Sequence, residues 1–386
     1  MKFRIVHIHS DFKFLNDIYR YECEYFENLM IIIGEKSDNN KKYHNTALFF
    51  SPTKKSLGKI IEICKDANLI VLNDLTQFGC KIVLALPLDI KIAWRFFGHE
   101  LYGKKKKQFL SEKTKQIWQS GLSKFFLLVK KKVAILFKNA MAHQYYKKQD
   151  FGSAVQRIDL FFGLFEDEYL FLKTFWPDLP LFLRLSIGLN KVNFENTDHP
   201  KKPLIILGNS RNNFNNHADI IDIVESLSHP KDISFKLLFN YGVESPYAEE
   251  IRLRARKIPT IDIISDFMSA EAFEDLYKNA SALVLNAYRQ MALGNILAAF
   301  RNGVKVYLNE KNITMQWLLK EGFFVFPITS LANDIERNNF KLTPAEIENN
   351  IAQLTKLMNS YTKEDFQNEL YERVKNEKPK KLLTAE

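Results

Sequence analysis

Two loops in the second half of the sequence carry side chains suited to binding an anion. The first, Gly208-Asn209-Ser210, follows the apolar run Pro203 to Leu207 and precedes a stretch whose apolar spacing predicts a helix. Glycine permits a tight turn, and amides and a hydroxyl just before a helix favour a phosphate group. Because many strand-to-helix turns share this composition for conformational reasons alone, the loop by itself is a weak indication.

The second loop, residues 286–295, gives a stronger indication. It follows the apolar run Ala282 to Asn286 and opens a short helix. A guanidinium together with helix amides is a combination suited to binding a diphosphate. The alternative, an ordinary surface loop whose arginine has no ligand, is less favoured. We therefore predict a phosphate site formed with Tyr288, Arg289, Gln290, Gly294 and Asn295.

In the first half, polar residues end three predicted strands: His9-Ser10-Asp11, Asn73-Asp74 and residues 97–103. A carboxylate at such an edge can remove a proton from an acceptor hydroxyl. A lone acid more often caps a helix or turn, but glycines bracket the His99-Glu100 pair. The catalytic candidates are therefore Glu100 first, Asp11 next, and His99.

The elements around these loops alternate between strands and helices. Short apolar runs near residues 203–207, 235–239, 261–264, 282–286 and 304–308 predict strands, with helices between them. The first half has a looser version of this rhythm, with strands predicted near residues 3–9, 30–33, 47–50, 69–72 and 92–97. This alternation predicts parallel, doubly wound α/β sheets.

The predicted domain organisation follows from the 386-residue length and a polar linker at residues 188–202. We expect an N-terminal Rossmann-like domain at 1–190, a C-terminal one at 191–345 and a helical tail at 346–386. Ligands of open parallel sheets bind at the carboxyl ends of strands, so we expect a ligand cleft between the two domains.

The positive charge of the chain is concentrated in one segment. Residues 104–148 hold 13 lysines and one acid, a net +12, whereas the whole chain carries +10, which leaves −2 elsewhere. Trp118, Leu122, Phe125, Val129 and Val133 recur at steps of three and four, which predicts one apolar helix stripe. Lysines off that stripe suit an anionic membrane surface.

An ordinary domain helix with solvated lysines explains this basic insert about equally well. The residues assigned to the membrane are Lys104, Lys105, Lys106, Lys107, Trp118, Phe125, Phe126 and Lys131. Nucleic acid is not expected as a partner, since the lysines lie in one block and no nucleic-acid motif accompanies them.

Other classes of protein are disfavoured by what the sequence lacks. Three cysteines in no paired spacing argue against a disulfide framework or a zinc module and favour a reducing compartment. The N-terminus has no signal-peptide core, and no apolar run is long enough to span a membrane. No DxD motif stands in a suitable loop, so we expect no metal and no cofactor.

The sequence resembles the bacterial TDP-N-acetylfucosamine:lipid II N-acetylfucosaminyltransferases of enterobacterial common antigen assembly. The resemblance covers about residues 1–326. Its segments are His9-Ser10-Asp11, residues 51–57, residues 97–102, residues 206–210 with Asn216-His217, residues 289–290 and 294–295, and residues 306–309.

The resemblance implies a GT-B glycosyltransferase that is inverting and independent of metal. The donor, a TDP-activated deoxy-amino sugar, would bind the second domain at the loops described above together with His217, Asn240 and Tyr241. The acceptor would be a polyprenyl-diphosphate-linked saccharide at the cytoplasmic membrane face, where the protein would be peripherally attached. Arg289 and the amides at Ser210 and Asn295 would stabilise the leaving diphosphate.

Three other interpretations stay open. The protein could use a different nucleotide sugar with a soluble, capsule or O-antigen acceptor. It could be a non-catalytic module that binds a nucleotide sugar or a membrane. A basic nucleic-acid binder ranks last and predicts a steep loss of binding with salt. The sequence does not determine the oligomeric state.

Overall fold

The structure is a computed structural model that describes residues 2–10, 12–120, 151–187, 200–227 and 232–380. Its internal contacts divide the chain into two units. The described part of the first unit is residues 2–103 without residue 11, 151–187 and 361–380; that of the second is residues 104–120, 200–227 and 232–360.

The described residues of the first unit form a seven-stranded parallel sheet. Its strands are β1 (Phe3–His9), β2 (Phe26–Ile33), β3 (Ala47–Phe50), β4 (Leu69–Asn73), β5 (Lys91–Arg95), β6 (Leu160–Gly163) and β7 (Leu181–Arg184). They stand in the order β3-β2-β1-β4-β5-β6-β7. With helices numbered along the whole chain, this unit contains α1 (Lys54–Cys64), α2 (Gln77–Ala85), α3 (His99–Tyr102), α5 (Phe151–Arg157), α6 (Glu166–Lys173) and α14 (Lys363–Asn376).

The second unit is a smaller sheet of the same kind. Its strands are β8 (Leu204–Leu207), β9 (Ser234–Leu238), β10 (Ile261–Ile264), β11 (Ala282–Leu285), β12 (Lys305–Leu308) and β13 (Phe326–Pro327), in the parallel order β10-β9-β8-β11-β12-β13. Its helices are α4 (Glu112–Gln119), α7 (His217–Ser226), α8 (Pro246–Ala255), α9 (Ala270–Asn279), α10 (Leu293–Arg301), α11 (Ile313–Lys320), α12 (Leu331–Glu336) and α13 (Pro344–Asn359).

Apolar composition explains why the central strands lie where they do. Every residue of β4 and β8 is buried, as expected for a parallel sheet covered on both faces. The helices between strands begin at hydroxyl caps: the side chains of Thr53, Ser245 and Ser269 each accept a main-chain hydrogen bond from the first turn. Strand and helix signals in the sequence therefore agree with the fold.

Each sheet has one point where the strand order reverses. In the second unit the chain proceeds outward from β8 through β9 to β10 and then returns to place β11 on the other side of β8. The first unit does the same between β1 and β4. Because loops at such a point diverge to opposite faces, ligands of open parallel sheets bind there.

The predicted fold class of two parallel α/β sheets is confirmed. All ten predicted strands are present within three or four residues of the expected bounds. The sequence analysis predicted no strand at β6, β7 or β13. The strands β6 and β7 have only four residues each, so their apolar runs carry no periodicity that separates them from the aromatic-rich stretch around them.

Two segments group differently from the predicted domain bounds. Residues 104–120, expected in the first domain, pack with the second unit. The helical tail is not separate, because α13 belongs to the second unit and α14 to the first, where Phe366 and Leu370 are fully buried in the core. In that unit the Gln367 amide donates to the carbonyl of Arg20 at 2.9 Å.

Candidate functional site

The site in the second unit lies at the carboxyl ends of β8 and β11, where the strand order reverses. Leu207 at the end of β8 pairs with Val284 near the end of β11, so the loops that follow start side by side. The first is the turn Gly208-Asn209-Ser210; the second begins at Asn286 and contains Arg289. The two anion-binding loops predicted from the sequence are therefore adjacent.

Gly208 has a conformation and a neighbour that exclude a side chain. Its φ is +65°, and a Cβ built there would stand 2.9 Å from Nε2 of His217. His217 itself is fully buried, with Nδ1 3.1 Å from the Tyr247 hydroxyl and its ring 5.3 Å from that of Phe239. Burial lowers the pKa of His217 to about 3, so the ring is neutral at physiological pH. His217 shapes the turn and carries no charge for an anion.

The rest of the first loop is held by amide contacts. Ser210 is buried, and the side-chain amide of Asn215 donates to its carbonyl at 3.0 Å and to its hydroxyl at 3.2 Å. The Ser210 hydroxyl in turn donates to Oδ1 of Asn209 at 3.3 Å. Asn209 is half-buried. The turn is therefore a rigid, preorganised loop rather than a loose connection.

Arg289 in the second loop is almost covered by its surroundings. Its Nη1 donates to the carbonyl of Gln290 at 2.7 Å, and its Cζ lies 4.5 Å from the ring centroid of Phe214. Phe214 comes from the short 3₁₀ helix Asn213–Asn215 that follows the first loop. The cation predicted for a phosphate thus lies directly against the loop that was expected to share that role.

The start of α10 differs from what the sequence suggested for Asn295. The N-cap residue Ala292 has a φ of 60° and no side chain able to cap the helix, and Gly294 is exposed with nothing within 4 Å of a Cβ added to it. Asn295, by contrast, is engaged twice: its main-chain N–H donates to Ala292 and its side chain to the Tyr277 hydroxyl at 2.8 Å. As placed, Asn295 positions α10 instead of offering an amide to a ligand.

The remaining predicted donor residues lie around this centre. Asn240 and Tyr241 follow β9, the neighbour of β8. Tyr241 is half-exposed, and its carbonyl accepts from the main chain of Arg211 at 2.8 Å. Tyr288 is half-buried with the Lys311 ammonium 4.6 Å from its ring centroid. These positions agree with a site built from several strand ends of one sheet.

A chain of buried asparagines, to which the sequence analysis gave no linking role, joins the loops. Asn216, with a φ of 49°, donates to the carbonyl of Asn286 at 3.0 Å, and Asn286 donates back to Asn216 at 3.2 Å. Asn309 donates to Oδ1 of Asn286 at 2.7 Å. No local pattern marks these residues, because each bond connects positions far apart in the chain.

The basic segment is attached to the same loops. The main-chain N–H of Ser111 donates to Oδ1 of Asn216 at 2.8 Å, and its hydroxyl donates to Asp219 at 2.5 Å. Lys113 on α4 forms an ion pair with Asp222 on α7. Residues 104–120 thus form part of this site's surroundings, in place of the first-domain insert expected from the sequence.

The predicted apolar stripe begins at Trp118, and its other members, Leu122, Phe125, Val129 and Val133, lie outside the described residues. Helix α4 ends at Gln119, and Ser120 leaves the helical region with a ψ of 147°. Trp118 is half-buried, and the ammonium of Lys106 lies 4.7 Å from its ring centroid. Lys104, Lys105 and Lys107 are exposed. The other residues assigned to a membrane, Phe125, Phe126 and Lys131, lie outside the described residues.

In the first unit, Glu100 occupies a structural position. Its side chain is 1% exposed, and its carboxylate accepts from Nε1 of Trp94 at 3.2 Å and from the main chain of Phe97 at 3.3 Å. These bonds hold the turn that leads into α3. His99 beside it is exposed, with Nδ1 3.5 Å from the carboxylate. The geometry assigns Glu100 a visible structural role, and the proposed role as base stays a prediction; Asp11 lies outside the described residues.

The strand ends β1, β4 and β5 of the first unit carry other buried polar groups. Nε2 of His9 lies 3.2 Å from the side-chain amide of Asn73. Arg95 at the end of β5 forms an ion pair with Asp17, and its Cζ lies 4.6 Å from the ring centroid of Phe97. The sequence analysis placed His9 and Asn73 at the ends of predicted strands but did not single out Arg95.

The described residues contain no group of three or more histidine, cysteine or acidic side chains that could hold a metal ion. Among the helices in that part of the chain, none has the length and apolar character needed to cross a membrane.

Comparison with known proteins gave matches by structure. No protein-family model matches the sequence, and the sequence search of curated proteins gave no match. A glycosyltransferase from Rickettsia africae matches with a TM-score of 0.62 at 11% identity, covering 97% of this chain and 100% of its own. HepE from Anabaena, in complex with UDP and glucose, matches with a TM-score of 0.62 at 11% identity, covering 96% of this chain and 99% of its own.

A third match is sucrose-phosphate synthase from Thermosynechococcus elongatus, with a TM-score of 0.62 at 12% identity, covering 96% of this chain and 97% of that one. These likenesses extend over both units at very low identity, so they establish the fold. The chain has the GT-B fold of two Rossmann-like domains, as the sequence analysis predicted.

Proposed function

We propose that the protein is a glycosyltransferase that uses a nucleotide-sugar donor. The observation that carries the proposal is the pairing of two loops at the reversal point of the second sheet, the rigid Gly208 turn and the Arg289 loop. A guanidinium beside main-chain amides at strand ends is suited to a diphosphate. Two structural neighbours support the donor class: HepE binds UDP and glucose, and an alpha-glucosyltransferase was solved in complex with UDP.

The reaction we propose is a direct displacement at the anomeric carbon. The oxygen of an acceptor hydroxyl forms a bond to that carbon as the bond to the diphosphate oxygen breaks, and the diphosphate keeps the electron pair. A carboxylate of the first domain takes the acceptor proton. Arg289 stabilises the charge that develops on the leaving diphosphate. No metal is required in this scheme, which would invert the anomeric configuration.

The finer assignment rests on the resemblance described above. We infer a TDP-linked deoxy-amino sugar, similar to N-acetylfucosamine, as donor and a polyprenyl-diphosphate-linked saccharide as acceptor, in cell-surface polysaccharide biosynthesis. The protein would work at the inner face of the cytoplasmic membrane. The neighbours that bind UDP make a uridine nucleotide the main alternative donor.

The test of the donor class is thermal stabilisation across a panel of nucleotides and nucleotide sugars with EDTA present. A specific ligand in excess raises the melting temperature by linkage. A shift with TDP compounds supports the inferred donor, whereas a shift with only UDP or GDP compounds keeps the reaction class and discards that donor. Absence of any shift would contradict the proposal.

The Arg289→Ala variant tests the site itself. Loss of a charged hydrogen-bond donor costs about 1.5 to 3 kcal/mol, so nucleoside diphosphate affinity should fall by about 10- to 150-fold. The matched control is Arg256→Ala, which removes an exposed arginine of the same unit. Equal affinities for the two variants would show that Arg289 does not contact the diphosphate.

A further inference from the structure

One lysine of the basic segment is placed unlike its neighbours. Lys104, Lys105 and Lys107 are exposed, whereas Lys106 is half-buried. Its ammonium lies 4.7 Å from the ring centroid of Trp118 and 5.9 Å from that of Phe214. Burial lowers the pKa of Lys106, because the charged form loses solvation there. The segment therefore turns one of four consecutive lysines inward.

The ring that Lys106 approaches is the ring that Arg289 covers. The Arg289 Cζ and the Lys106 Nζ lie 4.5 Å and 5.9 Å from the centroid of Phe214, so they are at most 10.4 Å apart. This upper bound is close to the Debye length of about 10 Å at 0.1 M salt, and both side chains are at least partly buried, so salt screens the repulsion between the two like charges only in part. Among the described residues, no carboxylate forms an ion pair with Lys106.

The position of Lys106 is restricted by the segment that follows it. Ser111 is bonded to Asn216 and Asp219, and Lys113 is paired with Asp222, so α4 is fixed on the second unit. Trp118 near the end of α4 supplies the second ring. A fixed, partly desolvated cation beside another cation is an unfavourable arrangement that an anion bound between them would relieve.

We propose that Lys106 is a second diphosphate-binding cation of the donor site, acting together with Arg289. This inference rests on the proposed function. A diphosphate carries two adjacent anionic groups, so two cations no more than 10.4 Å apart can each contact one of them. The rings of Trp118 and Phe214 orient the Lys106 ammonium, with no ion pair to a described carboxylate.

The experiment compares Lys106→Met, which keeps an apolar stem against the rings, with Lys106→Ala. The matched control is Lys115→Ala on α4, which removes a lysine whose ion pair among the described residues is with Glu112 on its own helix. Affinities for UDP and TDP, and for uridine and thymidine, are measured by calorimetry in EDTA. The expected result is a 10- to 100-fold loss of diphosphate affinity for both Lys106 variants, with nucleoside affinity and the control unchanged.

The results separate this inference from the proposed function. If the wild-type protein binds no nucleoside diphosphate, both fail. If wild type binds and Arg289→Ala does not, while Lys106→Met binds as wild type, only this inference is overturned. A purely structural role for Lys106 would lower nucleoside and diphosphate affinity together, which also overturns it.

A lipid diphosphate offers the same chemistry, so geranyl diphosphate serves as a further probe. Loss of geranyl diphosphate binding in Lys106→Met with unchanged UDP and TDP affinity would overturn the assignment to the donor. Loss confined to the nucleoside diphosphates supports it.

Discussion

Gly208→Ala is the substitution whose cost follows most directly from the structure. The φ of +65° places an alanine in the left-handed region, which costs about 1 to 2 kcal/mol. Its Cβ would also stand 2.9 Å from Nε2 of His217. That ring cannot retreat easily, because it is fully buried and held by Tyr247. Together these effects should lower the free energy of unfolding of the second unit by about 2 to 4 kcal/mol.

A double-mutant cycle separates the two causes. In a His217→Ala background the ring is gone, so Gly208→Ala should cost only the backbone term of about 1 to 2 kcal/mol. The control is Gly294→Ala, which has nothing within 4 Å of the new Cβ and an ordinary helical backbone. It should be neutral or stabilise by up to about 1 kcal/mol.

The assay is urea denaturation monitored by hydrogen exchange of peptides from the second unit. This readout isolates the second unit, because a two-unit chain need not unfold in one step. If Gly208→Ala costs the same with and without His217, the contact is not the source of its effect. If Gly208→Ala is as stable as Gly294→Ala, the reasoning from φ is refuted as well.

Two further predictions concern buried ionisable side chains. Glu100→Gln replaces one carboxylate oxygen with an NH2 group beside the Trp94 indole and the Phe97 main chain, so we expect the free energy of unfolding to fall by about 1 to 3 kcal/mol. Denaturation followed by Trp fluorescence measures this loss, and unchanged stability would contradict the structural role. Full turnover of the same variant would exclude Glu100 as the base. The pKa of His217 is about 3 when folded, below its ordinary 6.5, so the unfolded chain binds a proton that the folded chain refuses. The stability that neutral His217 contributes is therefore complete above about pH 6.5 and is lost toward pH 3 at about 1.4 kcal/mol per pH unit. In His217→Gln, the free energy of unfolding should depend less steeply on pH over this range. Equal slopes in the variant and the wild type would contradict this prediction.

The sequence alone determined the fold class and the positions of the candidate anion-binding loops. Short apolar runs such as those at residues 69–72 and 203–207 predict buried strands, because a parallel sheet is covered on both faces and needs no polar alternation. Since ligands of such sheets bind at strand ends, the sequence also indicates the Gly208 and Arg289 loops as candidates. Each of these patterns depends only on residues close together in the chain, so it can be recognised in the sequence alone.

Tertiary structure alone decided which polar groups are available in those loops. Glu100 and Asn295 are suitable residue types at suitable places, yet their hydrogen bonds go to Trp94, Phe97 and Tyr277. The same applies to segment placement: Lys106 lies against Phe214, 108 positions further along the chain. Contacts at this separation depend on how whole elements pack, and no spacing within one segment encodes them.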